Sequence, residues 1–347
     1  MTTVPSQPLL LVGNPTSGAG KARKAIEKAL EFLHEQRIPC EFRPTLPHGG
    51  TIEVVRRAID DEGFRTLAFM GGDGTFYEVA TGICRSREPS QVRLGMLPAG
   101  TANDQARSFG ISASEKSLPD NIQILAEGHT TSLDVGRIRT FHDNGTLAHE
   151  DFFYDSLGFG LSAAILAFRN RELQLVQGVP IWRDMYQGHA VYVRAAMHEL
   201  ALNWVLRDRF SLELTLDGEV HHFERLSDLV ISNTMLYAGE WIIDPNAQHD
   251  DGYFEIGLFS GVRDWTSKLI VHHKHSPLTF DMLEKVGLSH APVLKARSIG
   301  LQFFRPEVQN PLPAQRDGEE FAPANLVQID VIPRLMTIIV PRDHHWI

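Results

Sequence analysis

Apolar runs alternate with segments of helical periodicity in the first third of the chain. The apolar runs predict four buried strands, at Leu9–Val12, Cys40–Thr45, Thr66–Met70 and Val92–Leu97. The amphipathic segments that follow them predict helices at Ala22–Gln36, Thr51–Asp60, Phe76–Ile83 and Ala102–Phe109. Repeated strand–loop–helix units of this kind are typical of a parallel sheet covered by helices.

The pattern changes after about Thr131, where short apolar or alternating runs are separated by turn residues. These runs predict strands at residues 131–138, 152–154, 210–216, 229–232, 253–259, 298–304, 326–332 and 337–340. A β-rich second domain of the sandwich type is therefore expected. We predict an α/β domain at residues 1–130 and an all-β domain at 131–347, whose last strand is free to return to the first domain.

The segment Met70–Thr75, with the sequence MGGDGT, lies between a predicted strand and a predicted helix. Its three glycines allow positive φ angles and leave no side chain between the main chain and a ligand. A glycine turn before a helix N-terminus directs backbone N–H groups towards an anion. Asp73 would repel a phosphate, so it requires a metal ion, a proton or a hydroxyl group to act on. The segment thus indicates phosphate chemistry, and the alternative is a plain turn in which Asp73 caps the helix.

Polar loops also follow the other three predicted strands. Gly13 and Gly18 have the spacing of a P-loop, but Ala19 stands where that motif requires lysine. Because the loops after parallel strands emerge at one edge of a sheet, ligands bind at that edge. The sequence therefore predicts one nucleotide site, formed by Asn14–Gly20, Thr45, Gly71–Thr75 and Gly100–Asp104.

Composition restricts the partners and the compartment. The formal net charge of −10 argues against a nucleic-acid partner and against a polybasic membrane anchor. The N-terminus lacks a basic segment ahead of a long apolar run, and no stretch approaches the roughly 18 apolar residues of a membrane span. The two cysteines, Cys40 and Cys84, are expected to be free thiols, so a cytoplasmic location is predicted.

Three motifs resemble the signatures of the diacylglycerol kinase catalytic domain family, which includes bacterial lipid kinases and the sphingosine and ceramide kinases. They are Asn14-Pro15-x-Ser17-Gly18, Gly71-Gly72-Asp73-Gly74-Thr75 and Leu97-Pro98-x-Gly100-Thr101-x-Asn103-Asp104. Their order and spacing match the family as well as their letters. Further segments resemble the family's second domain: Asp151–Leu161, Ile231–Asn233, Ile243–Ile256 and Asp317–Glu319. The resemblance implies a Rossmann-like α/β domain of the NAD-kinase and diacylglycerol-kinase type, followed by a β-sandwich.

The resemblance implies phosphorylation of a lipid hydroxyl by ATP with Mg²⁺. It assigns nucleotide binding to Asn14, Pro15, Thr16, Ser17, Gly18, Thr45, Gly71, Gly72, Asp73, Gly74, Thr75, Glu78, Gly100, Thr101 and Asn103. It places Asp104 and Arg107 near the substrate. These roles agree with the chemistry of phosphoryl transfer, which needs mainly the positioning of the reactants and the neutralisation of phosphate charge.

By the same resemblance, Asp317 and Glu319 supply the base that activates the substrate hydroxyl. A sphingosine-kinase-like arrangement would give this role to Asp73 instead. Asp217-Gly218-Glu219 repeats the tripeptide Asp317-Gly318-Glu319, and local chemistry does not separate them, because both can be hairpin turns with solvated acids. Only the place of the second tripeptide in the family pattern favours it for catalysis.

A structural magnesium site is also implied, with Asp251 as carboxylate ligand and backbone oxygens near Gln248 and Tyr253. Oxygen-only ligation of this type suits Mg²⁺.

The chain departs from the family pattern at three positions. Tyr77 stands in place of a usual Asn, Gln105 in place of an aromatic residue and Ala19 in place of a basic one. Tyr77 could stack on an adenine ring or pack within the protein. The insert at residues 168–192 could form a lipid-entry wall that touches a membrane, or a helix pair that packs on the sandwich.

Two other functions remain open from the sequence. NAD kinases share a Gly-Gly-Asp-Gly-Thr turn, so a kinase of a soluble substrate is the first alternative. A catalytically silent nucleotide-binding regulator is the second, because of Tyr77 and Ala19. A lipid substrate would bring peripheral contact with a membrane surface, and the sequence leaves oligomeric state undetermined, with a homodimer as one option.

Overall fold

The computed structural model describes residues 8–15, 21–100, 103–167, 209–237, 241–242, 244, 246–260, 264, 293–305, 312–321 and 325–344. The chain divides into two compact units. Unit 1 comprises Met1–Val135 and Pro333–Ile347, and unit 2 comprises Gly136–Ile332. The predicted insert at 168–192 lies outside the described residues.

Unit 1 contains a parallel sheet with the strand order β2-β1-β3-β4. Its strands are β1 (Leu9–Gly13), β2 (Cys40–Pro44), β3 (Thr66–Gly71) and β4 (Arg93–Pro98). The end of β18 (Leu326–Ile339) pairs in parallel with β4, through Thr337 opposite Arg93 and Ile338 opposite Leu94. The last strand therefore returns to the sheet of unit 1.

The helices of unit 1 connect these strands. They are α1 (Lys21–Glu35), α2 (Gly50–Asp60), α3 (Asp73–Cys84), α4 (Asp104–Ser108) and α5 (Leu118–Glu127), with short 3₁₀ turns at Pro89–Gln91 and Glu115–Ser117. Because successive strands are parallel and run through helical crossovers, the loops after them lie at one edge of the sheet. This arrangement confirms the parallel α/β fold that the alternating pattern predicted.

Packing explains why these amphipathic segments fold onto the sheet. One core brings side chains of α1 and α5 against β1, β3 and β4; it contains Leu9, Leu11, Ile26, Ala29, Leu33, Ala68, Met70, Leu97, Leu118 and Ile122. Each fully buried leucine or isoleucine stabilises the unit by about 1.5–3 kcal/mol. Helices α2 and α3 pack closely at Gly82, where a Cβ atom would lie 2.6 Å from Cβ of Val55. The close helix contact thus requires glycine at position 82.

Unit 2 consists mainly of antiparallel strands, as predicted. They are β5 (Thr130–Phe141, which begins in unit 1), β6 (Leu147–Phe153), β7 (Ser156–Gly160), β8 (Phe210–Leu216), β9 (Glu219–Leu226), β10 (Asp228–Ser232), β11 (Leu236–Tyr237), β12 (Trp241–Ile242), β13 (Phe254–Phe259), β14 (Leu294–Ala296), β15 (Ser298–Phe304), β16 (Ala314–Arg316) and β17 (Glu319–Phe321). In the first sheet, four strands have the order β18-β15-β8-β9, and β5 pairs with β6. A second sheet has the order β14-β13-β10-β7-β16-β17.

A single apolar core joins the two sheets of unit 2. It contains Leu212 and Leu214 from β8, Leu229 and Ile231 from β10, and Ile299 from β15, all at most 1% exposed. The alternation of apolar and polar residues along these strands directs one face of each sheet inwards. The sandwich predicted for this half of the chain is therefore present. Among the residues that the structure describes, no helix has the length and apolar character needed to cross a membrane.

Candidate functional site

The loops after β1 to β4 meet at one edge of the parallel sheet. Two backbone hydrogen bonds join neighbouring loops there: Thr45 N–H donates to the Gly13 carbonyl at 2.9 Å, and Ala99 N–H donates to the Gly71 carbonyl at 2.8 Å. Asn14 and Pro15 follow β1 at the same edge and are half-buried. The structure thus assembles the described part of the predicted nucleotide site. The other predicted residues, Thr16, Ser17, Gly18 and Thr101, lie outside the described residues.

The glycines of the β3–α3 loop serve close packing rather than unusual dihedral angles. The positive φ angles that glycine allows are not used at Gly71, Gly72 or Gly74, since Gly72 has φ −100° and the other two are also outside the left-handed region. A Cβ atom on Gly100 would lie 2.4 Å from Cα of Gly72, and one on Gly71 would lie 2.4 Å from Oγ1 of Thr75. Two loops therefore touch through bare backbone.

Gly74 has different surroundings, in the first turn of α3. A Cβ atom built on it would meet nothing within 4 Å, and the residue is exposed. Helix α3 begins at Asp73, earlier than predicted, because the Gly72 carbonyl already accepts hydrogen bonds from the N–H groups of Thr75 and Phe76, both at 3.0 Å. The positive end of the α3 dipole and an open space beside Gly74 together suit an anion.

Asp73 reaches across to the next loop. Its Oδ2 accepts a hydrogen bond from the N–H of Asn103 at 2.9 Å, at the N-terminus of α4. Burial raises the pKa of Asp73, and the nearby N–H groups of Asn103, Asp104 and Gln105 oppose this shift. Asp73 is thus a helix cap, but for α4 rather than for its own helix.

Asn103 occupies the N-cap position of α4 in the left-handed region, with φ 54°. Its side chain makes no capping hydrogen bond to the helix. Instead its Oδ1 accepts from Gly100 N–H at 2.9 Å and its Nδ2 donates to the Gly100 carbonyl at 2.8 Å. Asn103 therefore fixes Gly100 against Gly72, while Asp73 fixes Asn103.

The remaining predicted residues of unit 1 lie on the two helices that begin at this edge. Glu78 is half-buried on α3, and Asp104 and Arg107 are half-buried on α4. Gln105 is buried with 3% exposure. Their roles towards nucleotide and substrate remain predictions.

In unit 2, Asp317 and Gly318 form the turn between β16 and β17, with φ angles of 48° and 79°. The Asp317 carboxylate accepts backbone hydrogen bonds from Tyr154 at 3.1 Å, Asp155 at 2.8 Å and Ser156 at 3.1 Å. Burial raises the pKa of Asp317 to about 6, and those N–H groups together with the Arg316 guanidinium oppose the shift. Asp317 thus binds the backbone, unlike the solvated turn acid that the sequence left open as an alternative.

Glu319 follows the turn as the first residue of β17 and is exposed. It pairs across the hairpin with Arg316, whose guanidinium Nη1 donates to Oδ2 of the buried Asp151 at 2.5 Å. The hairpin is therefore fixed by the Asp317–backbone bonds on one side and by the Arg316–Asp151 pair on the other.

Sequence reasoning missed the buried polar residues beneath Asp317. Asp155 accepts a hydrogen bond from the Thr234 hydroxyl, and Asn233 donates from its N–H to the Asp155 carbonyl at 2.8 Å. Asn233 Nδ2 also donates to the Tyr154 carbonyl at 2.8 Å. Polar residues inside the apolar runs 152–161 and 229–235 were the available signal, since buried polar groups require partners.

The repeated tripeptide forms the same local structure at its first occurrence. Asp217 and Gly218 connect β8 and β9, with φ angles of 48° and 96°. Oδ1 of Asp217 accepts from the N–H groups of Arg297 at 3.0 Å and Ser298 at 2.9 Å. The two turns differ in burial, because Asp217 is exposed whereas Asp317 is half-buried.

Asp251, the carboxylate among the residues predicted to hold a structural magnesium ion, contacts a lysine. Oδ1 of Asp251 accepts the N–H of Tyr253 at 3.0 Å, and its Oδ2 lies 3.6 Å from Nζ of Lys295. Gln248 is exposed. Among the described residues, no group of three or more His, Cys, Asp or Glu side chains could hold a metal ion. The donor set does not fit a divalent ion, since its one carboxylate already faces an ammonium group.

The comparisons with known proteins agree with this architecture. Residues 8–138 match the model of the diacylglycerol kinase catalytic domain. A diacylglycerol kinase of Mycobacterium tuberculosis (strain CDC 1551 / Oshkosh) is 27% identical over 338 residues, covering 95% of this chain and 94% of the relative. A diacylglycerol kinase of Staphylococcus aureus (strain bovine RF122 / ET3-1) is 24% identical over 330 residues, covering 93% and 94%.

A crystal structure of a diacylglycerol kinase from Bacillus anthracis str. Sterne has the same fold. It matches with a TM-score of 0.66 and 17% identity, covering 97% of this chain and 98% of that chain. At this identity the likeness concerns the fold alone, and it confirms the predicted fold class.

Proposed function

We propose that the protein is an ATP-dependent lipid kinase, because residues 8–138 match the model of the diacylglycerol kinase catalytic domain, the family that the three motifs resemble. The reaction joins the hydroxyl oxygen of a lipid alcohol to the γ-phosphorus of ATP. The bond from that phosphorus to the β–γ bridging oxygen breaks, and ADP leaves. The hydroxyl proton passes to a base. Diacylglycerol or a sphingoid-like lipid is the proposed acceptor.

The observation that carries the proposal is the meeting of Gly72 and Gly100 at the carboxyl edge of the sheet, beside the open space at Gly74. Backbone without side chains lets phosphate oxygens approach N–H groups closely. Because kinases act mainly through positioning and electrostatics, a rigid loop of this kind supports phosphoryl transfer. The hydrogen bonds from the Asn103 N–H to Asp73 and from the Gly100 N–H to the Asn103 side chain supply the rigidity.

We assign the base to Glu319 and a positioning role to Asp317. A lipid alcohol is a poor nucleophile at neutral pH, so a carboxylate must accept its proton as the new bond forms. Glu319 is exposed at the end of the hairpin, whereas the Asp317 oxygens bind the backbone of residues 154–156. Asp317 would thus fix the turn that presents Glu319.

Mg²⁺ is the proposed partner of ATP, and it would neutralise charge on the transferring phosphate when bound. The donor chemistry near the nucleotide loops suits such an ion in kind, because Asp73 brings a carboxylate to the first turn of α3. A lipid acceptor further implies peripheral contact with a membrane surface, with Asp104 and Arg107 on the substrate side of the site.

A kinase assay with labelled ATP and Mg²⁺ tests the proposal. Diacylglycerol, sphingosine, ceramide and NAD are offered as separate acceptors, the lipids in mixed micelles. Label is expected in one of the lipids. Label that enters only NAD would replace the proposal with a soluble-substrate kinase, and label in none of the acceptors, with normal ATP binding, would favour a silent regulator.

A further inference from the structure

Strands β13 and β14, at one end of the second sheet in unit 2, place a lysine opposite a fully buried glutamate. In the β13–β14 register, Glu255 is the direct partner of Lys295, and Lys295 Nζ lies 2.8 Å from Glu255 Oε1. The Glu255 side chain has no exposed surface, whereas Lys295 is 36% exposed. A buried carboxylate is tolerated only beside a compensating charge. Lys295 supplies that charge from the edge strand β14.

The same ammonium group serves a second carboxylate. Asp251 Oδ2 lies 3.6 Å from Lys295 Nζ, and Asp244 is a further acidic neighbour that interacts electrostatically with both Lys295 and Glu255. One cation therefore lies among three acidic residues. A divalent metal ion at this loop would compete with the ammonium group for the same carboxylates.

The loop that would close around such an ion is already fixed by other contacts. Asp251 Oδ1 accepts the N–H of Tyr253, which closes the turn at residues 251–253. The Arg297 guanidinium lies over the Tyr253 ring, 4.5 Å from its centroid. The segment 295–297 thus contributes two cations to this loop, one against its carboxylate and one against its aromatic ring.

We propose that Lys295 takes the place of a structural divalent cation at this loop, so that the fold of unit 2 requires no bound metal. A magnesium ion needs oxygen ligands at about 2.0–2.1 Å in near-octahedral order. Bound to Asp251, it would lie beside the ammonium that already contacts the same carboxylate oxygen, and the two positive charges would repel. Lys295 and a divalent ion are therefore mutually exclusive partners of Asp251.

Thermal denaturation of the full, nucleotide-free chain tests the proposal, together with metal analysis after treatment with EDTA. The wild-type protein is expected to retain no magnesium and to show the same Tm with EDTA and with millimolar Mg²⁺. Ligands that bind the folded state raise Tm by mass action, so a structural ion would be visible as a shift. One retained equivalent of magnesium, or a Tm that falls by several degrees in EDTA, would overturn the proposal.

The variant Lys295→Met removes the ammonium and keeps much of the aliphatic chain. Its Tm should be lower than that of the wild type in EDTA, and millimolar Mg²⁺ should now raise it by several degrees. Lys295→Arg should behave as the wild type, and Lys116→Met, at an exposed lysine of unit 1, should show no response to Mg²⁺. A stable Lys295→Met protein that ignores Mg²⁺ would contradict the proposed exchange. If this variant does not fold, the wild-type metal content and Tm comparison still decides. These readouts are independent of phosphoryl transfer.

Discussion

The carboxylate of Asp73 accepts a 2.9 Å hydrogen bond from the backbone N–H of Asn103, thirty residues further along the chain. This bond joins the loop after β3 to the loop after β4. Asn103 in turn holds Gly100, since its side chain accepts a hydrogen bond from the Gly100 N–H and donates one to the Gly100 carbonyl. The aspartate of the glycine-rich segment thus organises the site through the backbone. This structural role can be tested apart from any catalytic role.

Replacing Asp73 should separate its structural role from a chemical one. Asp73→Ala leaves the N-terminus of α4 without its acceptor, so the free energy of unfolding should fall by about 1–2 kcal/mol. Asp73→Asn keeps an acceptor oxygen and should lose less stability. Urea denaturation of both variants measures the difference.

Turnover of Asp73→Asn answers the question of the base. If Asp73 only positions the loops and the phosphate environment, this variant should retain measurable kcat with a raised KM for ATP. A loss of kcat of roughly 10²–10⁴-fold at unchanged stability would instead assign the proton acceptor to Asp73.

Gly100 and Gly74 should respond in opposite ways to a single added methyl group. A Cβ atom on Gly100 would lie 2.4 Å from the Gly72 backbone, so Gly100→Ala should cost about 1–3 kcal/mol of stability. Gly74→Ala meets nothing within 4 Å and lies in a helix, so its stability should be unchanged or raised by up to about 1 kcal/mol. Thermal denaturation measures both effects.

The affinity of the Gly74→Ala variant for ATP tests where the phosphate binds. If phosphate lies against the open backbone at Gly74, the Gly74→Ala methyl group should weaken ATP binding by about tenfold or more, which calorimetry would detect. Unchanged affinity in this stable variant would move the phosphate away from the start of α3.

The apolar patterns predicted the strands, helices and sandwich because burial of one face decides their period. They could not predict the close approach of Gly72 to Gly100, because it is a tertiary contact between two loops. The pairing of Lys295 with Glu255 could not be predicted from the sequence for a similar reason. Lys295 lies forty residues after Glu255, and only the register of β13 and β14 makes the two residues neighbours.

Glu319 and its neighbour Glu320 offer a matched test of the proposed base. Both are exposed on β17, where successive side chains point to opposite faces of the strand. Glu319→Gln should lower kcat by roughly 10²–10⁴-fold with little change in Tm. Glu320→Gln should leave kcat near the wild-type value. Equal losses in the two variants, measured with the lipid acceptor that accepts label, would contradict the assignment.

The repeated tripeptides should differ in how they couple stability to pH. Burial raises the pKa of Asp317 from 3.8 to about 6, so the folded protein holds this proton over a range in which the unfolded chain has released it. Between about pH 4 and 6 the folded state therefore binds more protons, and the free energy of unfolding falls as the pH rises. The fall should be at most about 3 kcal/mol, at roughly 1.4 kcal/mol for each pH unit.

Asn tolerates the left-handed turn position, so Asp317→Asn should keep the hairpin and flatten this part of the pH profile. Asp217→Asn, at the exposed equivalent turn, is the control and should leave the profile as in the wild type. Urea denaturation at intervals between pH 4 and 7 measures all three proteins. A profile that Asp317→Asn leaves unchanged would mean that the N–H groups of residues 154–156 outweigh burial, because hydrogen bonds to the ionised form lower a carboxyl pKa. Asp317 would then be ionised throughout this range, and its carboxylate would be free to share the role of base with Glu319.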